Sequence, residues 1–197
     1  MTHVLYLHGF MSSPHSEKAT ETKAYFEQHW PEVTLHIPEI SNHPSEVASQ
    51  LTGYIEAFPA LLNSTLDVPG LRAIGSSMGG YLSTWLVEQY GGKAVLVNPA
   101  VRPYELLQGY LGDHVNPYSG KAFSLTHRDM DIIKALDTPQ LKTPSAYKVL
   151  LQTGDETLDY RQAEQKYAQS HLVIEQGGDH RFVDYHNHLE EIAAFLS

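Results

Sequence analysis

The sequence contains no cysteine among its 197 residues. This absence excludes disulfide bonds, thiolate metal sites and a cysteine nucleophile. Basic residues are also few, since 13 lysines and arginines stand against 23 aspartates and glutamates, for a formal net charge of −10. Because these basic residues form no cluster, we expect neither a nucleic acid nor an anionic membrane surface as a partner.

Long hydrophobic runs are missing as well. No apolar run approaches the roughly 18 residues of a membrane span. The first ten residues, MTHVLYLHGF, have neither the basic segment nor the apolar stretch of a signal peptide. We therefore expect a cytoplasmic protein. A chain of this length is expected to form one domain, 1–197, with a sizeable core.

What the sequence does contain is an alternation of strand-like and helix-like segments. The strand-like segments are HVLYL (3–7), VTLHI (33–37), LRAIG (71–75), KAVLV (93–97), KVLLQ (148–152) and HLVIE (171–175). The first helix is predicted to begin at Ser13 and Pro14 and to end near Trp30. Strands separated by helices favour right-handed crossovers. The sequence thus predicts an α/β fold of about six mostly parallel strands with helices on both faces.

The segment from about 102 to 145 interrupts this alternation. It is rich in proline, tyrosine and glycine, and one short helix is predicted near 104–111. Because a loop this long usually carries function or covers a site, we predict a small cap or lid over 102–145, called the cap segment below. Its aromatic residues could line an acyl pocket or form the cap's own core: Tyr104, Tyr110, Tyr118 and Phe123.

The pattern GSSMG (75–79) lies between a predicted strand and a predicted helix. It matches G-x-S-x-G, in which the serine occupies a tight strand-to-helix turn. This turn places the Ser77 hydroxyl at the carboxyl edge of the sheet, where open α/β sheets bind ligands. The helix N-terminus behind it supplies partial positive charge and the free N–H of Met78. We therefore predict Ser77 as a nucleophile, and the alternative is a glycine-rich loop with an incidental serine.

A serine nucleophile needs a base, and the base needs a carboxylate that orients it. His180 is the best candidate for the base, because it follows the last predicted strand through a glycine-containing loop. His186 and His188, near the final helix, are predicted as surface or helix-capping residues instead.

Two aspartates compete for the role of the orienting carboxylate. Asp155 follows the strand-like KVLLQ segment closely, at the same predicted sheet edge as Ser77. Asp159 has a structural explanation, because Asp159 followed by Gln162 is typical of a helix N-cap with its capping-box partner. We favour Asp155, with Glu156 as a weaker third candidate. The order nucleophile, acid, base along the chain is that of α/β hydrolases.

The first predicted strand ends at His8-Gly9, and Phe10 follows. In this fold such an H-G pair usually begins the oxyanion loop. We expect the backbone N–H groups of Phe10 and Met78 to bind the oxyanion of a tetrahedral intermediate. His8 itself is predicted as a hydrogen-bonded structural residue. Since this strand opens the chain, the fold would be a minimal version of the α/β-hydrolase fold.

The chain resembles the YqiA-like esterases, which are small bacterial α/β hydrolases. The resembling stretches are LYLHGFMSSPHSEKA (5–19), GSSMGGY (75–81), NPAVRPYELL (98–107), LLQTGDETLDYRQA (150–163) and GGDHRF (177–182). The resemblance implies a serine esterase without metal or cofactor, with nucleophile, acid and base at Ser77, Asp155 and His180. The sequence departs from the expected pattern at Arg181, where a small residue is expected, and this puts a charge near the site.

We therefore expect an enzyme that hydrolyses small-molecule carboxylic esters or thioesters through an acyl-enzyme on Ser77. The alternative is a hydrolase-fold protein that binds a ligand or partner with little turnover. Candidate substrate-binding residues are Arg102, Tyr104 and Arg181. Arg102 could bind a substrate carboxylate or phosphate, or could form a salt bridge that holds the cap segment. The acyl length, the leaving group and the oligomeric state stay open.

Overall fold

In a computed structural model that describes residues 2–62 and 69–197, the chain folds around a parallel β-sheet. The strands of these ranges are β1 (Thr2–Leu7), β2 (Val33–His36), β3 (Leu71–Ser76), β4 (Gly92–Val97), β5 (Gly112–Val115), β6 (Ala122–Leu125), β7 (Tyr147–Gln152) and β8 (His171–Glu175). Six of them pair in the order β2-β1-β3-β4-β7-β8, always in parallel. The remaining two, β5 and β6, form an antiparallel hairpin. The parallel sheet confirms the predicted architecture.

Helices cover both faces of this sheet. Those in the described ranges are α1 (Glu17–His29), α2 (Pro44–Ala57), α3 (Met78–Tyr90), α4 (Pro103–Leu106), α5 (His127–Lys134), α6 (Tyr160–Lys166) and α7 (Leu189–Leu196). Leu5 and Leu7 of β1 belong to the core cluster that includes α2, α3 and α5, whereas Val4 and Tyr6 belong to the cluster with α1 and α7. Burial on both faces explains why the central strands β1, β3, β4 and β7 are rich in apolar residues. No helix within 2–62 or 69–197 has the length and apolar character needed to span a membrane.

The first helix begins later than the sequence predicts. The expected start at Ser13 and Pro14 is wrong, because α1 begins at Glu17 with Ser16 as its N-cap residue. The Ser13 hydroxyl accepts a hydrogen bond from the His15 N–H (3.0 Å), and the Ser13 carbonyl accepts one from the Ser16 N–H (3.1 Å). Ser13 therefore closes a turn ahead of the helix, which is a common use of a serine hydroxyl.

The cap segment holds more regular structure than the single helix predicted near 104–111. The range predicted as that helix contains α4, followed by a 3₁₀ turn over Leu107–Tyr110. The hairpin β5–β6 and helix α5 follow, and neither was predicted. Strands of four residues offer too few positions for a clear alternation. Helix α5 did carry a signal, since Thr126 and Asp129 form a capping box at its start.

The turn of the β5–β6 hairpin is tied to two loops at the carboxyl edge of the sheet. Buried Asn116 donates from Nδ2 to the Ser12 carbonyl oxygen (3.3 Å) and to Asn42 Oδ1 (3.0 Å). Its Oδ1 accepts hydrogen bonds from the N–H groups of Tyr118 (2.9 Å) and Ser119 (3.1 Å). The hairpin therefore lies beside the loop that follows β1.

Candidate active site

Ser77 occupies the turn between β3 and α3 in a strained backbone conformation. Its φ of 55° and ψ of −118° lie where residues other than glycine are uncommon. The turn is held because the Ser77 N–H donates to the Val97 carbonyl oxygen (3.1 Å). A Cβ at Gly75 would overlap the backbone of Gly79, and a Cβ at Gly79 would overlap the Leu7 carbonyl. The two glycines of the motif are therefore required by close packing.

Three side chains form one hydrogen-bonded chain at the carboxyl edge of the sheet. His180 Nε2 lies 3.1 Å from Ser77 Oγ, and His180 Nδ1 lies 3.0 and 2.9 Å from the two carboxylate oxygens of Asp155. The Asp155 side chain is only 2% exposed, whereas that of His180 is 23% exposed. A carboxylate can only accept, so Nδ1 carries the hydrogen and Nε2 is free to accept from the serine hydroxyl. The structure thus brings together the residues predicted as nucleophile, base and acid.

The Asp155 carboxylate is also fixed from its other side. Its Oδ1 accepts hydrogen bonds from the N–H groups of Thr157 (2.9 Å) and Leu158 (2.8 Å). Both donors belong to the loop between β7 and α6, so the carboxylate is oriented by its own chain segment. These bonds hold the carboxylate in line with the His180 imidazole.

The two competing carboxylates have other partners. Asp159 is the N-cap of α6 and accepts hydrogen bonds from the backbone (3.1 Å) and the guanidinium (2.8 and 3.0 Å) of Arg161. These bonds lower the pKa of Asp159. The side-chain partner is therefore Arg161, and the predicted capping-box role of Gln162 is not what the structure has. Glu156 Oε2 accepts the His180 backbone N–H (3.0 Å), and hydrogen bonds from its own N–H and from that of His180 lower its pKa.

The loop after β1 runs beside Ser77. A Cβ added at Gly9 would lie 3.4 Å from Ser77 Cβ and 3.8 Å from Ser77 Oγ, which places the loop in van der Waals range of the serine. Met78 is the first residue of α3, where backbone N–H groups lack intrahelical acceptors. Among the backbone hydrogen bonds of turns, loops and helix caps within the described ranges, none is donated by the N–H of Phe10 or Met78. Phe10 therefore borders the cleft that contains Ser77, and Met78 borders the adjoining apolar cavity, which Phe10 also lines.

His8 has the structural role that the sequence predicts. It is 3% exposed, its Nδ1 donates to the Gly9 carbonyl oxygen (2.9 Å), and its Nε2 accepts the Ile40 N–H (3.1 Å). These bonds need the neutral ring, because a protonated ring could not accept from Ile40. Burial is the main cause that lowers the pKa of His8.

A test of this assignment is the pH dependence of stability. Folded His8 resists protonation, whereas an unfolded imidazole titrates near ~6.5. The unfolded state then binds more protons, so the stabilisation present above about pH 6.5 is lost as the pH falls. We expect the urea midpoint to drop between about pH 7.5 and about pH 5. Burial also lowers the pKa of His36, so that residue adds to the drop.

The His8→Gln variant should show a smaller drop in the urea midpoint over the same pH range. Glutamine keeps an acceptor for the Ile40 N–H but carries no titratable group. His127→Gln, at an exposed position, is the matched control and should behave like the parent. An unchanged drop in His8→Gln would contradict the assignment.

The three residues predicted to bind substrate lie in different surroundings. Tyr104 is buried, and its hydroxyl donates to Asp137 Oδ2 (2.8 Å). Burial and this hydrogen bond raise the pKa of Tyr104 to about 12. Arg102 pairs with Glu105 one turn further along α4 (3.4 Å). Arg181 is exposed at the rim of the cleft, with its Nε 3.7 Å from Asp179.

Two cavities meet near Ser77. One is a polar cleft of about 230 Å³ that exposes Ser77 and His180 and is bordered by Lys18, Tyr118 and Arg181. The other is a narrow apolar cavity of about 40 Å³. The loop after β1 and the start of α3 form one side of it, and the remaining lining includes Val47, Leu82, Leu107, Ile133 and Leu136. Of the predicted cap aromatics, Phe123 is buried against Phe10 (ring centroids 5.8 Å apart), and Tyr110 is exposed.

His188 confirms one part of a sequence prediction and corrects another. It occupies the N-cap position of α7, as the capping alternative predicts, but its side chain caps no backbone group. It is not a surface residue, because it is buried between the carboxylates of Glu175 (3.1 Å) and Glu191 (2.5 Å), whereas His186 is exposed. The helix pattern alone did not show that these two acids, from β8 and α7, meet around it.

In the part of the chain that the structure describes, no group of three or more histidine, aspartate or glutamate side chains could hold a metal ion.

Two residues near the site were missed from the sequence. Asn98 directly follows β4 and Gln152 ends β7, and both side chains are buried. The available signal was a polar residue at the end of an apolar strand, at the sheet edge that carries the site. Their partners lie 23 to 82 positions away in the chain, so a local pattern could not assign them.

Comparison with known proteins agrees with this architecture. The family described as "Uncharacterised protein family (UPF0227)" matches residues 3–197. A protein of Agrobacterium vitis S4 is 18% identical, with 100% of this chain and 88% of that chain covered and a TM-score of 0.75. Est1E from Butyrivibrio proteoclasticus, bound to ferulic acid, is 12% identical (99% and 88% covered, TM-score 0.68). Alpha/beta hydrolase domain-containing protein 10 from mouse is 13% identical (98% and 87% covered, TM-score 0.66). These likenesses confirm the α/β-hydrolase fold.

Proposed function

This chain belongs to the UPF0227 family, the YqiA-like family, and we propose that it is a serine esterase that hydrolyses carboxylic esters or thioesters. The observation that carries the proposal is the hydrogen-bonded chain from Ser77 through His180 to buried Asp155. A serine on a strained turn, bonded to an imidazole that a buried carboxylate orients, is the arrangement that activates a hydroxyl for attack on a carbonyl.

Acylation follows from the geometry of these groups. His180 Nε2 accepts the Ser77 hydroxyl proton as Oγ bonds to the substrate carbonyl carbon. The carbonyl oxygen becomes an oxyanion, which the N–H groups of Phe10 and Met78 bind. Asp155 stabilises the imidazolium formed at His180. The tetrahedral intermediate then collapses, the leaving alcohol or thiol takes the proton from Nε2, and the acyl group stays on Ser77 as an ester.

Deacylation repeats these steps with water as the nucleophile. His180 Nε2 takes a proton from a water molecule, whose oxygen attacks the acyl carbonyl. The same two N–H groups bind the second oxyanion. Collapse releases the carboxylic acid, and the proton on Nε2 returns to Ser77 Oγ, so the enzyme is regenerated.

The two cavities suggest how a substrate divides across the site. The apolar cavity borders Phe10 and Met78 and suits a short acyl chain, because its volume is only about 40 Å³. The polar cleft opens on Ser77 and His180 and suits a hydrophilic leaving group that remains in contact with water. The proposed substrate is therefore a small ester or thioester with a short acyl group.

The rival function is ligand or partner binding with little turnover. A fluorophosphonate probe discriminates the two, because only an activated serine reacts with it. We propose labelling the protein and then measuring hydrolysis of p-nitrophenyl esters and acyl thioesters. Labelling at Ser77 together with turnover supports the esterase. An intact protein that binds these compounds but neither labels nor hydrolyses them would support the rival.

The acyl pocket can be tested at Leu136, which lines the apolar cavity and is half-buried. Leu136→Phe fills space, so it should lower kcat/KM for a butanoyl ester several-fold relative to an acetyl ester. Leu141→Phe is the matched control, because Leu141 is also half-buried but does not line this cavity. If both variants keep the parent's ratio of butanoyl to acetyl rates, the acyl group does not bind there.

A further inference from the structure

The loop that carries His180 has an irregular backbone. Between β8 and α7, four residues have a left-handed φ: Gly177 (81°), Gly178 (73°), Phe182 (64°) and Asp184 (59°). Glycine adopts such a φ freely, but at Phe182 and Asp184 it persists only where the surroundings hold it. A loop of this shape therefore needs fixed partners if it is to keep an imidazole within hydrogen-bonding distance of Ser77.

The Gln152 side chain holds the loop at two residues. Its Oε1 accepts hydrogen bonds from the N–H groups of Asp179 (3.2 Å) and Val183 (2.8 Å). Its Nε2 donates to the Val183 carbonyl oxygen (2.9 Å) and to Glu175 Oε2 (2.9 Å). These four bonds use both donors and both acceptor positions of the amide. Gly178 lies so close that a Cβ there would overlap this amide.

The Asn98 side chain holds the loop at the histidine itself. Its Nδ2 donates to the carbonyl oxygens of Asp179 (3.0 Å) and His180 (3.4 Å). Its Oδ1 accepts a hydrogen bond from the backbone N–H of Gln152 (2.9 Å), the residue that carries the other amide. The two side-chain amides bond to both backbone groups of Asp179. Gln152 accepts the Asp179 N–H, and Asn98 donates to the Asp179 carbonyl oxygen.

Both amides stand on the strands that set the position of the other two groups. Asn98 follows Val97, whose carbonyl oxygen accepts the Ser77 N–H. Gln152 ends β7, three positions before Asp155. Both side chains are nearly inaccessible to solvent, at 2% for Asn98 and 4% for Gln152. Asn98 therefore fixes the position of the loop relative to Ser77, and Gln152 fixes it relative to Asp155.

We infer that Asn98 and Gln152 are positioning residues, which act through the backbone of 179–183 to keep His180 aligned with Ser77 and Asp155. This inference rests on the proposed function. The physical reason is that misplacement of a catalytic group by about 1 Å can cost on the order of 10²-fold in rate. Neither amide contacts the reacting atoms, so their loss should lower kcat and leave KM nearly unchanged.

The variants are Gln152→Glu and Asn98→Gly. Gln152→Glu keeps the shape but turns an acceptor toward the Val183 carbonyl and toward Glu175. Asn98→Gly removes the amide without straining the backbone, because Asn98 already has a φ of 39° and glycine adopts this conformation freely. We expect kcat to fall about 10- to 100-fold in each, with KM within about twofold. Fluorophosphonate labelling should slow by the same factor as kcat.

A spectroscopic readout separates positioning from general destabilisation. The proton that His180 Nδ1 shares with Asp155 should give a downfield proton NMR signal in the parent. In folded variants with a displaced loop this signal should shift or broaden. Tyr167→Phe is the control, because it removes a buried hydrogen bond to Thr84 (2.8 Å) and does not touch the loop. It should lower the urea midpoint but keep kcat and the signal.

The outcomes are distinct. If the folded variants lose stability as Tyr167→Phe does, yet keep kcat, the labelling rate and the downfield signal, the inference is overturned. If Gln152→Glu does not fold, Asn98→Gly alone decides, since its backbone is unstrained. Failure of the proposed function looks different, because the parent itself would then neither label at Ser77 nor hydrolyse any ester.

Discussion

Replacing Ser77 with alanine should lower kcat by ~10⁴-fold or more, because the members of a triad act as a unit and the remaining groups cannot form an acyl-enzyme. The variant should also fail to react with a fluorophosphonate. Its fold should persist, since alanine removes only one hydroxyl that is bonded to His180. The measurements are steady-state kinetics with a p-nitrophenyl ester and the urea midpoint of the same preparations.

The neighbouring serine is the control for this result. Ser76 ends β3, and Ser76→Ala should stay within about tenfold of the parent, a change of about 1.4 kcal/mol in the activation barrier. The two serines share a sequence context and differ in position on the turn. An inactive Ser76→Ala beside an active Ser77→Ala would mean that the nucleophile has been assigned one residue too late.

Asp155→Asn should lower kcat by ~10²–10⁴-fold with little loss of stability, the upper end being the effect of that change in a well-known serine protease. An amide at this position has the size of the carboxylate but can donate a hydrogen bond to Nδ1. The imidazole then takes the other tautomer, with Nε2 protonated and unable to accept from Ser77. The buried carboxylate also stabilises the imidazolium, and this stabilisation is lost. Kinetics and urea midpoints, measured together, test both parts.

Asp159→Asn is the matched control for the second acidic residue. Asparagine caps helices as well as aspartate does. Within 2–62 and 69–197, the hydrogen bonds of Asp159 go to Arg161 and to the first turn of α6, so kcat should stay near the parent value. An inactive Asp159→Asn combined with an active Asp155→Asn would transfer the orienting role to Asp159. The observed bonds of His180 Nδ1 to both oxygens of Asp155 favour an inactive Asp155→Asn and an active Asp159→Asn.

The sequence predicted those parts of the site that depend on residues close together in the chain. GSSMG between a strand and a helix specifies the turn at Ser77, because its two glycines have no room for a Cβ. His180 and Asp155 were found because each follows an apolar strand at the same sheet edge. By contrast, Asn98 and Gln152 act through contacts across 23 to 82 residues, which no local pattern contains.

The fold shows the same division between local and distant causes. The central strands were recognisable because burial on both faces makes them apolar throughout. The hairpin β5–β6 was missed, since its strands are short and largely exposed. The start of α1 was predicted too early, because Ser13 and Pro14 satisfy the rules for a helix start while the Ser13 hydroxyl closes a turn instead.

The strained turn at Ser77 has a consequence for the stability reserve of the molecule. A residue other than glycine held at a φ of 55° costs on the order of 1–3 kcal/mol, a sizeable share of the ~5–15 kcal/mol by which a typical domain is stable. The remainder of the fold must offset that cost permanently, in every molecule and between turnovers. The protein is therefore less stable than it would be with a relaxed turn. The φ of Ser77 lowers the free energy of unfolding while it holds the hydroxyl in the position that the proposed catalysis needs.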